Sequence, residues 1–450
     1  MREDDDTDLR AGVWLCSAML LAAGVVFGGA SRENPLRLAA VEVASLPLLS
    51  LVVLRWRRLG TPRGAAPTLF LLAAVVAIPA LQLLPLPPAV WAHLPGRAPE
   101  VAAVRVAGLG RPWLPATLAS RETLAALLAL TPPAAMFLGA LTGRTSGQRL
   151  LAAGWIALAL AGLTLGAAQL TATGPSPLYP YATTNYGSLV AFFANRNHEG
   201  AYLLALLPFA AMFAVQPARP GELAIGARWA GVLFIFLAVI GLGVVRSRAG
   251  VLLAIPTLLG CAAIVFRSAA AIPRGPRIAA LAGVGLAVAA VVAFGLSPIL
   301  RRFDAAALAD FRFEAWPVVA RAAQTFQPVG AGIGAFDRVF RAAEPLSMVG
   351  PSYFNHAHND WLELWLEAGW AGAAVAAAFI AWFAVAAWRV WRATANGGGD
   401  LARAASLAIL VLMACSVVDY PLRTETLATL FAWCCGLIAS RPAGPRVAPP

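Results

Sequence analysis

The sequence predicts an all-α, polytopic membrane helical bundle of about 12 transmembrane helices, with a large outward loop containing short helices, and three observations predict it. Of the 450 residues, 60% are hydrophobic and only 12% are charged, against roughly 25% charge in soluble domains. Mean hydropathy is +0.73, carried by repeated apolar runs of about twenty residues, long enough to cross a ~30 Å hydrocarbon core as helices. The runs are continuously apolar rather than alternating, which argues against a β-barrel. Collagen, a disordered tail and a soluble nucleic-acid binder are excluded by the same composition.

In chain order the runs lie near residues 11–30, 36–54, 66–84, 121–141, 150–170, 198–216, 229–245, 249–266, 277–296, 363–388, 404–420 and 425–440. Pro132 and Pro133 interrupt the fourth, a break that membrane helices tolerate when neighbours satisfy the released carbonyls. The N-terminus, MREDDDTDLR, is acidic where a secretory signal would be basic, so the first run is expected to persist as a span. The 34 basic residues are all Arg, and with 22 acids they give a net charge of +12. Scattered between spans, these arginines read as topology signals and high-GC composition rather than as a nucleic-acid surface. Cys16, Cys261, Cys415, Cys434 and Cys435 sit inside apolar runs without C-x-x-C spacing, as packing residues do.

With a cytoplasmic N-terminus, the inside loops collect Arg55, Arg57, Arg58 and Arg63, then Arg144 and Arg149, Arg219 and Arg228, Arg267, Arg274 and Arg277, and Arg389, Arg392 and Arg403. This is the positive-inside pattern. Residues 85–120, 171–197 and 297–362 then face outward. The chain reads as a single integral membrane domain, residues 1–450, with 297–362 a large loop within it. A hydrophilic segment that long is usually functional or a folded cap.

Four stretches, all on the outward side in this topology, carry most of the unusual polar residues. In FFANRNHEGAYL, Asn195, Arg196, Asn197, His198 and Glu199 stand at the mouth of the sixth run; helix capping and substrate binding are the two readings. In VVRSRAGVLL, the turn between the seventh and eighth runs is so short that Arg246 and Arg248 must sit at the interface, where each requires an anionic partner or snorkels to lipid phosphate. The third stretch opens the long outward segment. It places Arg312, Glu314 and Trp316 on an amphipathic helix, followed by the turn of Gly330, Gly332 and Gly334, whose N–H groups either approach a phosphate or belong to a plain loop.

The fourth stretch is NHAHNDWLELWLEAGWAG, holding His356, His358, Asn359, Asp360, Glu363, Glu367, Gly369 and Gly372. Two of only four histidines fall here, just before a strongly apolar run. A metal site competes, because His, His and Asp are good ligands, but the set is short of a full complement. A base fits better: the positive end of a helix disfavours imidazolium, Asp360 or Glu363 would orient the ring, and neutral His358 takes a proton from an attacking hydroxyl.

These residues resemble the O-antigen ligase and polymerase superfamily of bacterial inner membranes. Its ligases carry His, then Asn, Ser or Gln, nine residues, Gly, two residues, and Gly, Thr or Tyr; His358, Asn359, Gly369 and Gly372 fit every fixed position. The stretches N-R-N-H at 195–198, S-R-A-G at 247–250 and LQLLPLPPAVWAHL at 81–94 also resemble this superfamily, over roughly residues 70–440. The resemblance implies a membrane glycosyltransferase, metal-independent and without cofactor. It would move a glycan from undecaprenyl diphosphate to an acceptor hydroxyl such as lipid A-core, with inversion, on the periplasmic face of the bacterial inner (cytoplasmic) membrane. By position it implies His358 as base, with Arg248 and Arg312 as the other catalytic residues. Arg196, Asn197, His198, Arg246, Asn359 and Asp360 complete the expected substrate contacts.

The expected partners are the undecaprenyl diphosphate-linked glycan donor, lipid A-core or another glycan acceptor, and membrane lipids, with no nucleic acid. Two guanidiniums suit that chemistry, because the leaving diphosphate gains charge as the glycosidic bond breaks. A polymerase joining lipid-linked repeat units is the nearest alternative. A solute or anion transporter is the alternative from another class, although it would prefer a mid-membrane site and a two-fold repeat.

Overall fold

The computed structural model describes residues 2–31, 34–62, 64–172, 174–215, 222–245, 247–268, 311–350, 353–393 and 399–440, with isolated helical positions between 278 and 289. The N-terminal half comprises α1 (Arg2–Phe27), α2 (Pro35–Leu59), α3 (Ala66–Gln82), the short α4 (Pro88–Trp91) and α5 (Ala98–Val106), α6 (Ser120–Ala129), α7 (Thr131–Thr142) and α8 (Thr145–Gln169). The C-terminal half comprises α9 (Arg196–Ala214), α10 (Glu222–Val245), α11 (Arg248–Ser268), α12 (Phe311–Thr325), α13 (Phe336–Ala343), α14 (Asp360–Arg392), α15 (Gly399–Cys415) and α16 (Glu425–Ala439). Among the described residues the only sheet is a two-residue pairing of β1 (Pro85–Leu86) with β2 (Leu114–Pro115).

Among these residues, seven stretches are long and apolar enough to cross a membrane: Asp6–Phe27, Pro35–Leu59, Ser120–Thr142, Thr145–Gln169, Gly226–Val245, Arg248–Arg267 and Asp360–Arg392. The chain is therefore an all-α polytopic membrane protein. Shorter apolar helices cover Ala66–Gln82 and Glu425–Ala439. The run expected at 277–296 lies outside the described residues apart from isolated positions. Pro132 and Pro133 stand in the first turn of α7, where a missing N–H costs nothing because that donor has no intrahelical partner.

The bundle is built around α9, whose residues from His198 to Phe213 are all buried. A helix apolar all round belongs in a core, and α8, α10, α11 and α15 enclose this one. Its first turn thereby meets the short α10–α11 turn and the α15–α16 loop. Asn195 caps it, accepting from Asn197 N at 2.9 Å.

A second, smaller core forms around α12 and α13. Ala315, Val318, Val319, Ala322, Ala323 and Phe326 recur at helical spacing along α12 and are buried against Phe336, Val339 and Phe340 of α13 and Leu366 of α14. The stacked Phe336–Phe340 pair, 5.4 Å between centroids, adds about 1 kcal/mol beyond its area. The described residues from α12 to the start of α14 thus form a cap with short helices and its own core.

α14 breaks at Gly369, which adopts φ 55° and ψ −146°. The break releases backbone groups that a regular helix would pair, and the glycine turn takes them: Trp370 N donates to Pro328 O at 3.0 Å, Ala331 N to Leu366 O at 3.0 Å and Gly332 N to Glu367 O at 2.9 Å. A Cβ at Gly330 would overlap the Glu367 carbonyl, and one at Gly369 would overlap the Pro328 carbonyl. Glycine is needed on both sides because two backbones touch.

Candidate functional site

The site is assembled by residues 416–424, which join α15 to α16 and project Asp419, Tyr420 and Arg423 toward the first turns of α9 and α14. Asp419 is the centre of one charge cluster. Its Oδ2 accepts from Asn197 Nδ2 at 2.7 Å and lies 3.7 Å from Arg312 Nη1. Its Oδ1 lies 3.3 Å from His358 Nδ1 and 3.9 Å from His198 Nε2. Burial alone would raise the Asp419 carboxyl; the His358 hydrogen bond and the neighbouring His198 and Arg312 outweigh it and hold that carboxyl well below the usual carboxylate range.

Tyr420 is the packing surface for three of the four histidines. Ring centroids of His356, His358 and His198 lie 4.5, 4.7 and 5.0 Å from its ring. Burial first, and then the Asp419 charge, push its phenol up to about 12, so it acts as a neutral wall. His358 stands immediately before α14 in a left-handed backbone conformation, φ 51°, which costs a non-glycine residue roughly 1–2 kcal/mol. Asp419 and Tyr420 hold it there, and the next residue, Asn359, caps α14 by accepting from Leu362 N at 3.0 Å.

Arg423 is the centre of the second cluster. Its Nη2 lies 2.9 Å from Glu367 Oε2 and 3.4 Å from Glu363 Oε1, and its Nε lies 3.4 Å from Asp360 Oδ1. Burial alone would lower the Arg423 guanidinium, but Glu363, Glu367 and Asp360 raise it above its ordinary value. Glu363 also bonds His356 Nδ1 and accepts from Ala357 N, each at 2.8 Å. Glu367 Oε1 accepts from Gly334 N at 2.8 Å and Phe336 N at 3.2 Å. The glycine turn therefore gives its amides to protein acceptors rather than to a phosphate.

A cavity of about 1870 Å³ connects these groups, lined at its polar end by Arg196, Asn197, His198, Arg248, Arg312, His356, His358, Asp360, Tyr420 and Arg423. Its apolar arm runs between Leu71, Leu72 and Val75 of α3, Ala129 at the end of α6, Phe137 of α7, Val375 and Phe379 of α14 and Phe431 of α16. Residues far apart in the chain, Arg248, Arg312 and His358, thus share one enclosure. Arg196 and His198 stand at its wall, His198 fully buried, and Asp360 is bound to Ser416 Oγ at 2.9 Å. Asn359 is engaged as a helix cap, and Arg246 lies outside the described residues.

One local expectation is corrected by this geometry. Asp360 and Glu363 were the acids expected to orient His358; Glu363 instead holds His356, Asp360 faces Arg423, and the acid on His358 is Asp419. Sequence reasoning missed Asp419, Tyr420 and Arg423. Their signal is present in SVVDYPLRTET, where an acid and an Arg interrupt the space between two apolar runs, but nothing in that stretch names its partners.

Residues 232–377 match the family profile described as O-antigen ligase. No curated protein matches the chain. The matched stretch runs from α10 into α14, carrying Arg248, Arg312, His358, Gly369 and Gly372. Over that stretch the chain is similar to the O-antigen ligase family, and the match supports a membrane enzyme of the ligase or polymerase type in general.

Proposed function

We propose that the protein is an inverting, metal-independent glycosyltransferase of the O-antigen ligase type. It moves a glycan from undecaprenyl diphosphate to an acceptor hydroxyl such as that of lipid A-core. In this reading residues 1–450 form one integral domain of the bacterial inner (cytoplasmic) membrane, residues 297–362 form a large periplasmic loop, and the cavity opens to the periplasm. The observation that carries it is the sharing of one cavity by Arg248, Arg312 and a carboxylate-held His358.

With Asp419 on Nδ1, the ring presents Nε2 to the acceptor. As the acceptor oxygen bonds to the anomeric carbon, its proton passes to His358 Nε2 and the bond from that carbon to the diphosphate oxygen breaks on the opposite face. The electron pair leaves with the diphosphate. Negative charge grows there as the bond lengthens, so Arg248 and Arg312 stabilise the transition state more than the bound substrate. Arginine suits the task because its planar fork donates in pairs to phosphate oxygens. Asn197 fixes the other oxygen of Asp419, and Arg196, His198 and Asp360 frame the polar end. The apolar arm receives the polyprenyl chain.

The test is transfer by purified protein, with chelator present, from a defined undecaprenyl diphosphate-linked glycan to lipid A-core or to a second lipid-linked glycan. Transfer to lipid A-core is the expected result. Extension of the lipid-linked glycan would assign a polymerase instead, and transfer to neither acceptor would contradict the reading.

A further inference from the structure

We propose that Phe313, backed by Trp316, is a stacking platform for the sugar ring joined directly to the diphosphate; this rests on the donor assigned above. Exposed apolar side chains on the spanning helices meet lipid, but Phe313 belongs to the cap. It is 51% exposed and lines the cavity, while the opposite stripe of α12 fills the cap core. Ligand pockets are lined by aromatic side chains beside a few placed polar groups, and that is the setting of Phe313.

Its position identifies the ligand chemistry. Phe313 follows Arg312 on α12, and its ring meets Trp316 edge-on at 4.9 Å and 79°. Trp316 is itself fixed, donating from Nε1 to Ala357 O at 3.0 Å, the carbonyl between the two loop histidines. The aromatic corner therefore spans from the phosphate-holding Arg312 to the backbone that carries His358. The anomeric carbon must lie between those two groups, so the ring bearing it lies against the corner. A pyranose presents one face of C–H groups, which suits the negative face of an aromatic ring and gains dispersion contact over its whole area. Its hydroxyls require polar groups at the edge, and Asn355 and Tyr420, side by side on the same cavity wall, supply an amide and a phenol.

The experiment measures binding of two probes, undecaprenyl diphosphate-glycan and bare undecaprenyl diphosphate, to detergent-purified full-length wild type, Phe313→Ala and Phe313→Trp. Phe313→Ala is expected to weaken the glycan-bearing probe about five- to tenfold while binding the bare diphosphate within about twofold of wild type. Phe313→Trp restores the difference. The bare probe also reports that the variant is folded. Equal binding of the glycan probe by wild type and Phe313→Ala overturns the proposal, and so does an equal loss on both probes, which would make Phe313 a lipid or diphosphate contact. Wild type that binds neither probe overturns the donor assignment and this inference with it.

Discussion

Asp419 and Arg423 stand four positions apart on the same loop, yet they organise opposite kinds of cluster. Asp419 is a carboxylate ringed by nitrogen: Asn197, His198, Arg312 and His358. Arg423 is a guanidinium ringed by carboxylates: Asp360, Glu363 and Glu367. Each takes one histidine of the H-x-H pair, His358 by Asp419 and His356 through Glu363. The first cluster spreads its partners over α9, α12 and the start of α14, so it converges on the cavity. The second keeps its carboxylates on the first turns of α14 and, through Glu367, ties the glycine turn to the break at Gly369. Two histidines that look equivalent in the sequence thus have different surroundings, His358 held by Asp419 at the cavity and His356 tied to the buried carboxylates of α14.

The largest expected effects contrast the two centres. Asp419→Asn keeps shape but removes the charge that selects the His358 tautomer, and should lower kcat about 10²–10³-fold with a smaller loss of thermal stability than Arg423→Met. Arg423→Met should do the reverse. It leaves buried carboxylates without their cation, at a cost of about 3–5 kcal/mol, read as a lower unfolding midpoint, while the folded fraction retains turnover. Exchanged outcomes would break the division of labour.

Gly369→Ala sharpens the architectural half. Its positive φ and the contact with Pro328 predict destabilisation of roughly 1–3 kcal/mol, measurable by thermal unfolding. A Gly243→Ala comparison isolates the backbone conformation, because Gly243 lies within α10 and a Cβ there meets nothing within 4 Å.

The smallest expected effect is in pH dependence, with opposite signs for adjacent residues. The Asp419 carboxyl is held low, so its stabilising contribution is present above its ordinary value of 3.8 and is lost only as pH falls below that. The Tyr420 phenol is raised from 10.0 to about 12; its contribution is intact below pH 10 and is lost as pH climbs toward 12. Tyr420→Phe should flatten the alkaline loss of stability in a pH-resolved melting series, and Asp419→Asn, which removes only the smaller of the two causes, should flatten that limb in part.

Much of the fold was legible because a membrane span is a local property: about twenty apolar residues suffice, whatever they pack against. The short α10–α11 turn and the helix beginning after His358 were legible for the same reason. Charge pairing is not local. His358 meets an acid 61 positions away rather than Asp360 two positions along, because Asp360 enters the first turn of α14 and faces Ser416 and Arg423. Likewise, Gly330, Gly332 and Gly334 announce a tight turn, but only the broken helix opposite shows that their amides are already taken. Asn359 fits the ligase motif as a cap, a role that spacing alone does not separate from substrate contact.

The most direct test of the division is turnover of His358→Ala beside His356→Ala, each purified and supplied with undecaprenyl diphosphate-linked glycan and acceptor. The account predicts loss of at least about 10²-fold in kcat for His358→Ala with stability retained, and a stability defect with turnover largely kept for His356→Ala. Wild-type turnover by His358→Ala would contradict it.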